Sequence, residues 1–477
     1  MNVSAWGYRG VRRGSRDEAP AGKGIIVRTQ SLGDQTVDLL GRLVRLGCVN
    51  DLTADSGGEE RAADLLEEFF AGLPVSIERI TPHPGRTSLV VTVEGADPRS
   101  AGTPLTLLGH TDVVPVDTAK WTRDPFGAQI EDDVMWGRGT VDMLHLTAAM
   151  AVVTREVARR AQDGNPLARS LVFVAAADEE ARGGLGVPWI GDNKPNALPW
   201  DAALSEMGGA HVRGRRGGDS VVVVVGEKGA AQRRLHIRGD AGHGSVPLGR
   251  MSAVERLAQV SAALSAARWP TATDEVWAGF VRAFEFDETI ETSLINGTYE
   301  GDYSEFEDLA AFAHAISHVT VAQTVAHSGG PINVLPSHAT LELDIRTLPG
   351  VNDDDVDAAI AAALGDLAEH VTIERLLSEA ATASSIDTDL YRVIEAALTQ
   401  RYPGTRVVPV FFPGGSDLRV ARRLGGIGYG FGAVDSGASL GQVYSQLHAH
   451  DEHIALADVR ATAEVLHEVV TSYLTDV

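Results

Sequence analysis

The chain has 477 residues, of which 65 are Asp or Glu and 41 are Lys or Arg, so its formal net charge is −24. Such an acidic chain repels phosphate backbones and anionic lipid, and nucleic-acid and membrane partners are therefore not expected. Its apolar stretches are shorter than the roughly 20 residues that span a bilayer, and a single cysteine, Cys48, excludes an internal disulfide. The expected location is the cytoplasm.

Predicted helices and strands alternate from about residue 33. Residues 1–30 mix Gly, Arg and Ser without periodicity and are interpreted as a flexible basic tail. Beyond them, apolar residues at three- and four-residue spacing predict helices, and short apolar runs predict strands that are buried on both faces. The helices are predicted at 36–47, 58–73 and 142–161, and the strands at 88–95, 103–110, 170–177, 201–206 and 220–226. This alternation predicts an α/β sandwich up to about residue 226.

A different pattern begins near residue 228. Residues 228–378 read strand, helix, strand, strand, helix, strand, which is typical of a separate small α+β domain. Additional residues at 272–317, rich in Asp, Glu, Phe and Trp, interrupt that pattern. The α/β pattern then resumes, so we expect one domain built from residues 31–227 and 379–477, with residues 228–378 inserted into it.

Several acids and a histidine lie where predicted strands end or a helix begins. His110 and Asp112 end one strand, and their two-residue spacing puts both side chains on one face, where the carboxylate can orient the imidazole towards a metal. Asp142 opens a helix after a Gly-rich turn, and Glu206 ends another short strand. A solvated histidine and a helix-capping acid are the alternative interpretations.

Three adjacent acids, Asp178, Glu179 and Glu180, follow an apolar run of seven residues. Carboxylates this close together repel one another, and a bound cation would offset the cost. Adjacent positions also point in different directions, so one acid can bind a metal while its neighbour faces a water. A solvated acidic loop is the alternative, which the buried strand before it disfavours.

A histidine-rich loop precedes the last predicted helix and contains His448, His450 and His453. Crowded histidines on a surface loop are the alternative to a metal site here. Acids and imidazoles without thiolates suit Zn²⁺, Mn²⁺ or Co²⁺ in a hydrolytic site. The chain has no GxSxG nucleophile motif, no Walker A lysine loop and no HExxH motif, so the sequence offers no competing chemistry.

Nine motifs in order resemble those of the M20 family of metallopeptidases: HTDVVP, GRGTVDM, DEEARGG, EMGG, AGHGSVP, NVLP, DIRTLPG, GGSD and LHAHDE. That family includes aminoacylases, carboxypeptidases, dipeptidases and succinyl-diaminopimelate desuccinylases, and the resemblance covers residues 33–475. It implies an α/β fold in which a three-layer sandwich forms the zinc-hydrolase catalytic domain. The inserted domain is then expected to be a ferredoxin-like lid and dimerisation domain.

The resemblance also implies two divalent metal ions, zinc or alternatively cobalt or manganese, bridged by one aspartate and a water. The implied ligands are Asp142 as the bridge, His110 and Glu206 for one ion, and Glu180 and His448 for the other. His448 is preferred to His450 because the LHxHDE spacing places the ligand three residues before Asp451. Glu179 is then the general base that takes a proton from the bridging water, and Asp112 supports His110.

Further positions match the family's substrate contacts. His243 is implied to reach the active site of a second subunit, where its imidazole would stabilise the oxyanion. Asn333, Arg346, Gly415 and Ser416 match substrate-contacting positions, and an arginine fork suits a carboxylate. An ordinary strand arginine is the alternative for Arg346. The expected partners are a short peptide or N-acyl amino acid and a second copy of this chain.

The chain departs from the family pattern in two places. The family often has a lysine or glycines after the bridging acid's DM, whereas this chain has Leu144 and His145, and His145 is interpreted as a packed helix residue. His314 and His318 lie four residues apart in the 272–317 segment and are interpreted as a solvated helix face.

The predicted function is metal-dependent hydrolysis of an amide bond in a short peptide or N-acyl amino acid that carries a free carboxylate. The sequence does not choose between a peptidase and a deacylase. The alternative is a catalytically silent, dimeric metal-binding protein on the same scaffold. The presence of all five implied ligands and of Glu179 disfavours that alternative.

Overall fold

A computed structural model describes residues 30–96 and 102–475 of the chain. Apart from Gln30, the predicted flexible tail lies outside these residues. No helix in the described ranges is long and apolar enough to cross a membrane.

The helices begin and end close to where the apolar spacing predicts them. Several start at side-chain caps: the Ser252 hydroxyl accepts from the Glu255 amide before α5, and the Asn352 side chain accepts from the Asp355 amide before α9. The helices are α1 Leu32–Leu46, α2 Glu60–Phe69, α3 Leu144–Gln162, α4 Val187–Asn193, α5 Ala253–Ala266, α6 Glu275–Ala283, α7 Glu288–Ile295, α8 Ala310–Ser317, α9 Asp353–Leu364, α10 Asp389–Arg401, α11 Leu418–Arg423, α12 Leu440–Tyr444 and α13 Leu456–Thr475.

The larger sheet has ten strands in the order β1-β2-β6-β3-β7-β19-β9-β17, with β18 and β8 also paired to β9. Its strands are β1 Ser76–His83, β2 Arg86–Val93, β3 Leu105–His110, β6 Leu171–Ala176, β7 Ala202–Ser205, β8 His211–Arg213, β9 Asp219–Glu227, β17 Thr382–Ala383, β18 Arg406–Phe412 and β19 Ile427–Gly430. The central strands β3, β6 and β7 run parallel to one another. Their carboxyl ends therefore meet at one edge of the sheet.

Helices cover both faces of this sheet. Val91 and Phe173 pack on one face with residues of α1, α3 and α13, while Val90 and Val174 pack on the other with residues of α4 and α11. The apolar runs have side chains buried on both faces for this reason. The fold is a mixed α/β fold, as the alternation of elements predicts.

A second sheet of five strands lies within residues 228–378. Its order is β10-β15-β11-β16, with β13 also paired to β15. The strands are β10 Gly229–Ala230, β11 Arg233–Arg238, β13 Thr320–Ser328, β15 His338–Thr347 and β16 Val371–Arg375. Two small sheets complete the fold, one of β12 Gly242–His243 and β14 Val334–Leu335, the other of β4 Gln129–Glu131, β5 Val134–Trp136 and β20 His453–Ala455.

The 272–317 segment forms α6, α7, a short 3₁₀ helix and α8 around its own aromatic cluster. Trp277, Phe280 and Phe306 are buried there, with ring centroids 5.9 to 6.1 Å apart. Helix α6 packs on β18 of the ten-stranded sheet, and Glu285 accepts hydrogen bonds from the amides of Arg216 and Gly218. The segment interrupts the inserted residues in sequence, yet it packs on the larger sheet.

Candidate metal centre

Chain segments that are far apart in sequence bring the predicted ligands to one edge of the larger sheet. His110 is the last residue of β3, Glu206 follows β7, and Glu179 and Glu180 lie shortly after β6. Because these strands are parallel neighbours, their carboxyl ends deliver the side chains to a common place. Asp142 joins them from the loop before α3.

The first ligand group consists of His110, Asp142 and Glu206, each of which offers an atom within 4.8 Å of the others. The Nε2 atom of His110 lies 3.3 Å from Asp142 Oδ1 and 3.7 Å from Glu206 Oε2. The His110 and Glu206 side chains are almost fully buried. This group contains the three residues that the family resemblance implies for one ion.

The second ligand group consists of Asp142, Glu180 and His448. The Nε2 atom of His448 lies 3.3 Å from Asp142 Oδ2 and 3.2 Å from Glu180 Oε2. Asp142 thus presents one carboxylate oxygen to each group. His450 is exposed and belongs to neither group, as the preference for His448 predicts.

The charges around these groups fit two divalent cations. Burial and the neighbouring Asp142 charge raise the pKa of Glu206 to about 8 and that of Glu180 to about 7. The Oε1 atom of Glu180 is buried and has no hydrogen-bond partner among the described residues. A cation would compensate both the crowded negative charge and the unpaired oxygen. The donors are nitrogen and oxygen without sulfur, which suits zinc, manganese or cobalt.

Glu179 lies beside the ligand groups and belongs to neither of them. Burial, followed by the negative charge of Glu206, raises the pKa of its carboxyl well above the ordinary value. A buried carboxyl that retains a proton easily is suited to taking and returning one. The arrangement can therefore perform proton transfer beside bound cations.

Asp112 supports the site through more contacts than the sequence predicts. The Nδ1–H group of His110 donates to the Asp112 main-chain carbonyl at 2.9 Å and lies 3.5 Å from the Asp112 carboxylate, which leaves Nε2 free to face a metal. The Asp112 carboxylate itself accepts from the amides of Glu179 and Glu180 at 3.2 and 3.1 Å. One buried aspartate therefore orients a ligand histidine and the adjacent acidic loop together.

Asp178, the first of the three adjacent acids, points away from the ligand groups. Its carboxylate accepts from the Leu185 amide and the Asn50 side chain and lies 3.4 Å from Arg86. Arg86 is fully buried and also donates to Glu59 at 2.6 Å and to Asn50 at 3.1 Å. Sequence reasoning missed this buried polar network, because its members are isolated residues that stand in no motif.

Glu452 is a second residue that sequence reasoning missed. Its carboxylate accepts from the amides of Gly139, Val141 and Asp142 and from Arg138 at 2.6 Å. Arg138 also donates to the main-chain carbonyl of His448. Glu452 therefore fixes the Asp142 loop against the His448 loop. Its position four residues after His448 in LHAHDE was the available signal.

A cavity of about 440 Å³ lies above the ligand groups. Among the predicted substrate residues, Arg346 and Gly415 line it. Ser416 does not, because its hydroxyl is buried and donates to Glu227 at 2.6 Å. His243 and Asn333 are exposed and lie next to each other, since the Gly244 amide donates to the Asn333 carbonyl at 2.7 Å. Neither residue lines the cavity of its own chain.

Neither ligand group includes His145, His314, His318 or Cys48. Burial lowers the pKa of His145 to about 4, which agrees with a packed helix residue. The rings of His314 and His318 stack at 4.3 Å, and His314 is exposed whereas His318 is half-buried, so the predicted solvated face is correct for one of the two. Cys48 is buried.

The model of peptidase family M20/M25/M40 matches residues 106–472. A probable carboxypeptidase S-like 2 of Dictyostelium discoideum is 27% identical over 70% of this chain and 64% of that protein. An acetylornithine deacetylase of Pectobacterium carotovorum is 25% identical over 64% of this chain and 66% of that protein, so the chain spans just under two thirds of both relatives. A succinyl-diaminopimelate desuccinylase of Cereibacter sphaeroides is 26% identical over 92% of this chain and 98% of that protein.

Solved structures share the fold. An M20 family metallo-carboxypeptidase from Sulfolobus solfataricus superposes with a TM-score of 0.67 at 21% identity, covering 92% of this chain and 99% of that one. A dinuclear metal binding peptidase of the M20 family from Bacillus subtilis superposes with a TM-score of 0.58 at 13% identity, covering 93% and 99%. At these identities the likeness concerns the fold.

Proposed function

The chain belongs to peptidase family M20/M25/M40, a family of metallohydrolases, and from this premise we propose that it hydrolyses an amide bond. The substrate is a short peptide or an N-acyl amino acid with a free carboxylate. The observation that carries the proposal is the pair of ligand groups that share Asp142 beneath a cavity, with Glu179 beside them.

The five ligand residues would hold two divalent cations, zinc in our proposal, and Asp142 belongs to both ligand groups. When bound, two such cations polarise an amide carbonyl and lower the pKa of a water. His110 is oriented for this task because its Nδ1–H group is already engaged by Asp112. The backbone contacts of Asp112 and Glu452 hold the acids and histidines before any substrate arrives.

Glu179 would act as the proton carrier. It takes a proton from the attacking water and passes it to the leaving amine, a role that contributes about 10²–10⁴-fold to rate in other enzymes. Its buried position favours the protonated form between these two steps. The amino acid product then leaves with its carboxylate, which Arg346 and the Gly415 loop are positioned to contact from the cavity wall.

We further propose that residues 31–227 and 379–477 form a three-layer catalytic domain, with residues 228–378 as a ferredoxin-like lid that dimerises. Exposed His243 and Asn333, which do not line the cavity of their own chain, would then serve the cavity of a second copy. Replacing His243 with Ala should leave metal content and dimer mass unchanged and abolish most turnover. Full activity of that variant would refute the shared site. The cytoplasm remains the predicted location.

The test is hydrolysis of a panel of dipeptides and N-acyl amino acids with added Zn²⁺, Mn²⁺ or Co²⁺. Turnover should require metal, disappear after EDTA treatment and fall by about 10²–10⁴-fold in Glu179→Gln. The matched control is Glu379→Gln, since Glu379 lines the same cavity but belongs to neither ligand group. Two bound metals with no turnover across the panel would favour the catalytically silent metal-binding protein.

A further inference from the structure

The 272–317 segment, which contains none of the nine motifs, contacts two residues that line the cavity beside the ligand groups. The first is Lys228, a buried residue whose ammonium group donates to two main-chain carbonyls at the end of α8, at 2.6 and 2.7 Å. The second is Tyr444, against which the ring of Phe312 packs edge-on with centroids 5.2 Å apart. The segment therefore forms part of the structure behind the cavity wall.

A third contact holds the helix that carries Tyr444. Helix α12 begins at a capping box, in which the side chains of Ser439 and Gln442 each accept from the other's main-chain amide. The Ser439 hydroxyl also donates to the Asp308 carboxylate of the segment at 3.1 Å. A Cβ atom built on Gly441 would lie only 2.3 Å from Asp308 Oδ2, so the segment approaches α12 closely because this position has no side chain. The start of α12 is thus held by the segment as well as by its own cap.

Tyr444 belongs to an apolar wall of the cavity, which consists of Phe412, Tyr444 and Leu447. The rings of Tyr444 and Phe412 lie 6.2 Å apart at an angle of 77°. All three side chains are half-buried and pack against the hydrophobic core. Because Leu447 immediately precedes the predicted metal ligand His448, the apolar wall adjoins the second ligand group.

Most of the other residues that line the cavity are charged. A substrate in this cavity therefore meets two chemically different surfaces, one charged and one apolar. Aromatic side chains favour an apolar group of a ligand in two ways, through the apolar area that is removed from water and through edge-to-face contact between rings. The apolar wall is suited to a part of the substrate that carries no charge.

We propose that Tyr444 is a specificity-determining residue that packs against an apolar group of the substrate, and that Phe312 of the 272–317 segment positions its ring. This inference rests on the proposed amide hydrolysis and names the substrate class, which is N-acyl amino acids or short peptides with an aromatic or bulky aliphatic group beside the scissile amide. The apolar group belongs either to the acyl part or to the amino acid, two cases that different compounds distinguish. Phe312 is a positioning residue, since it does not itself line the cavity.

The experiment measures binding, so that it does not depend on turnover. N-acetylglycine, N-acetylphenylalanine and N-phenylacetylglycine are titrated by calorimetry into the zinc-loaded Glu179→Gln protein. At least one of the two phenyl compounds should bind about 10- to 150-fold more tightly than N-acetylglycine, and this ratio is the phenyl preference. Tyr444→Ala should lower the phenyl preference by about 2- to 12-fold, whereas Tyr444→Phe should retain it because the ring is kept.

Phe312 should act only through Tyr444. Phe312→Ala should lower the phenyl preference, and Phe312→Leu should restore part of it because leucine keeps much of the apolar volume. In the Tyr444→Ala protein, Phe312→Ala should cause no further loss, since the effects of two residues that act as one unit are not additive. The matched control is Phe286→Ala, which removes a buried ring of the same segment that stacks on Phe284, and it should leave the phenyl preference unchanged.

Equal binding of all three compounds would overturn the proposal, as would a phenyl preference that survives Tyr444→Ala. An equal loss in Phe286→Ala and Phe312→Ala would mean that the segment acts through its stability alone, which overturns the positioning role of Phe312. The proposed hydrolysis is judged separately, by turnover of the same compounds with the wild-type protein and added zinc. Absence of turnover with a retained Tyr444-dependent preference would count against the hydrolysis and leave the apolar wall as a ligand site.

Discussion

The two walls of the cavity are built in opposite ways. On the metal side, each of the ligands His110, Asp142 and Glu180 is oriented by a hydrogen bond that its ring or its main-chain amide donates to a buried partner. On the opposite wall, Arg346 and Asp344 lie on one strand and contact mainly each other, with side chains about 30% exposed.

The difference follows from what each wall must do. Metal ligands must be deprotonated and held in place, and unpaired buried charges are costly, so the metal side needs a continuous polar network. A wall that only contacts a substrate can use partly solvated charges, whose interactions contribute little to folding. Substitutions on the metal side should therefore have larger effects than substitutions on the opposite wall.

Replacing Asp142 with Ala should have the largest effect, because it removes a carboxylate oxygen from both ligand groups. We expect the metal content, measured by mass spectrometry of the purified protein, to fall from two ions towards none. Loss of a general base alone lowers activity by about 10²–10⁴-fold, and Asp142→Ala should lower it further. Retention of both metals would mean that the shared carboxylate is not the bridge.

Replacing Arg86 with Met should destabilise the fold by about 3–5 kcal/mol, because it leaves the buried Glu59 and Asp178 without their counter-ion. Denaturant unfolding of the metal-free protein measures this effect without a contribution from the cation. A change in unfolding free energy below about 1 kcal/mol would show that the charges of this buried network contribute little to stability.

Cys48 gives a pH-dependent test of the same buried side. Burial raises the pKa of its thiol to about 12 from an ordinary value near 9, so the folded state keeps the proton that the unfolded state releases. The stabilisation is present below pH 9 and declines by about 1.4 kcal/mol per unit as the pH rises from 9 towards 12. Unfolding free energies at pH 8 to 10.5 should therefore fall less steeply in Cys48→Ala than in the wild type.

Replacing Asp344 with Asn should have the smallest effect on stability, below about 1 kcal/mol, because its pair with Arg346 is partly solvated. Denaturant unfolding measures this change beside Arg86→Met. If Asp344→Asn lowered the unfolding free energy as much as Arg86→Met, the two walls would not differ in their contribution to stability.

The ligands could be predicted from the sequence because each stands in a short motif, and three of them follow apolar strands. His110, Glu180 and Glu206 could be brought together by reasoning, since parallel strands share their carboxyl edge. Asn50 and Arg86 could not, because nothing local distinguishes them from surface residues, and Glu452 had no local signal besides its place in LHAHDE. Their role depends on pairings across 36 to 314 positions, which only the tertiary fold reveals.

Part of the 272–317 segment has the apolar spacing of an amphipathic helix. Trp277, Phe280 and Phe284 recur at three- and four-residue spacing, which favours one apolar helix face. The packing of that helix on β18 could not be derived, because β18 lies more than a hundred residues later in the chain.

The Glu452 contacts have a consequence for synthesis on the ribosome. The Asp142 amide donates to the carboxylate of Glu452, which lies 310 positions later in the chain. His448, which lies 3.3 Å from the Asp142 carboxylate, belongs to the same late loop. The metal centre cannot be completed until that loop has emerged and folded back, although His110 and Asp142 appear early. Partial translation products that end before residue 448 therefore lack the second ligand group.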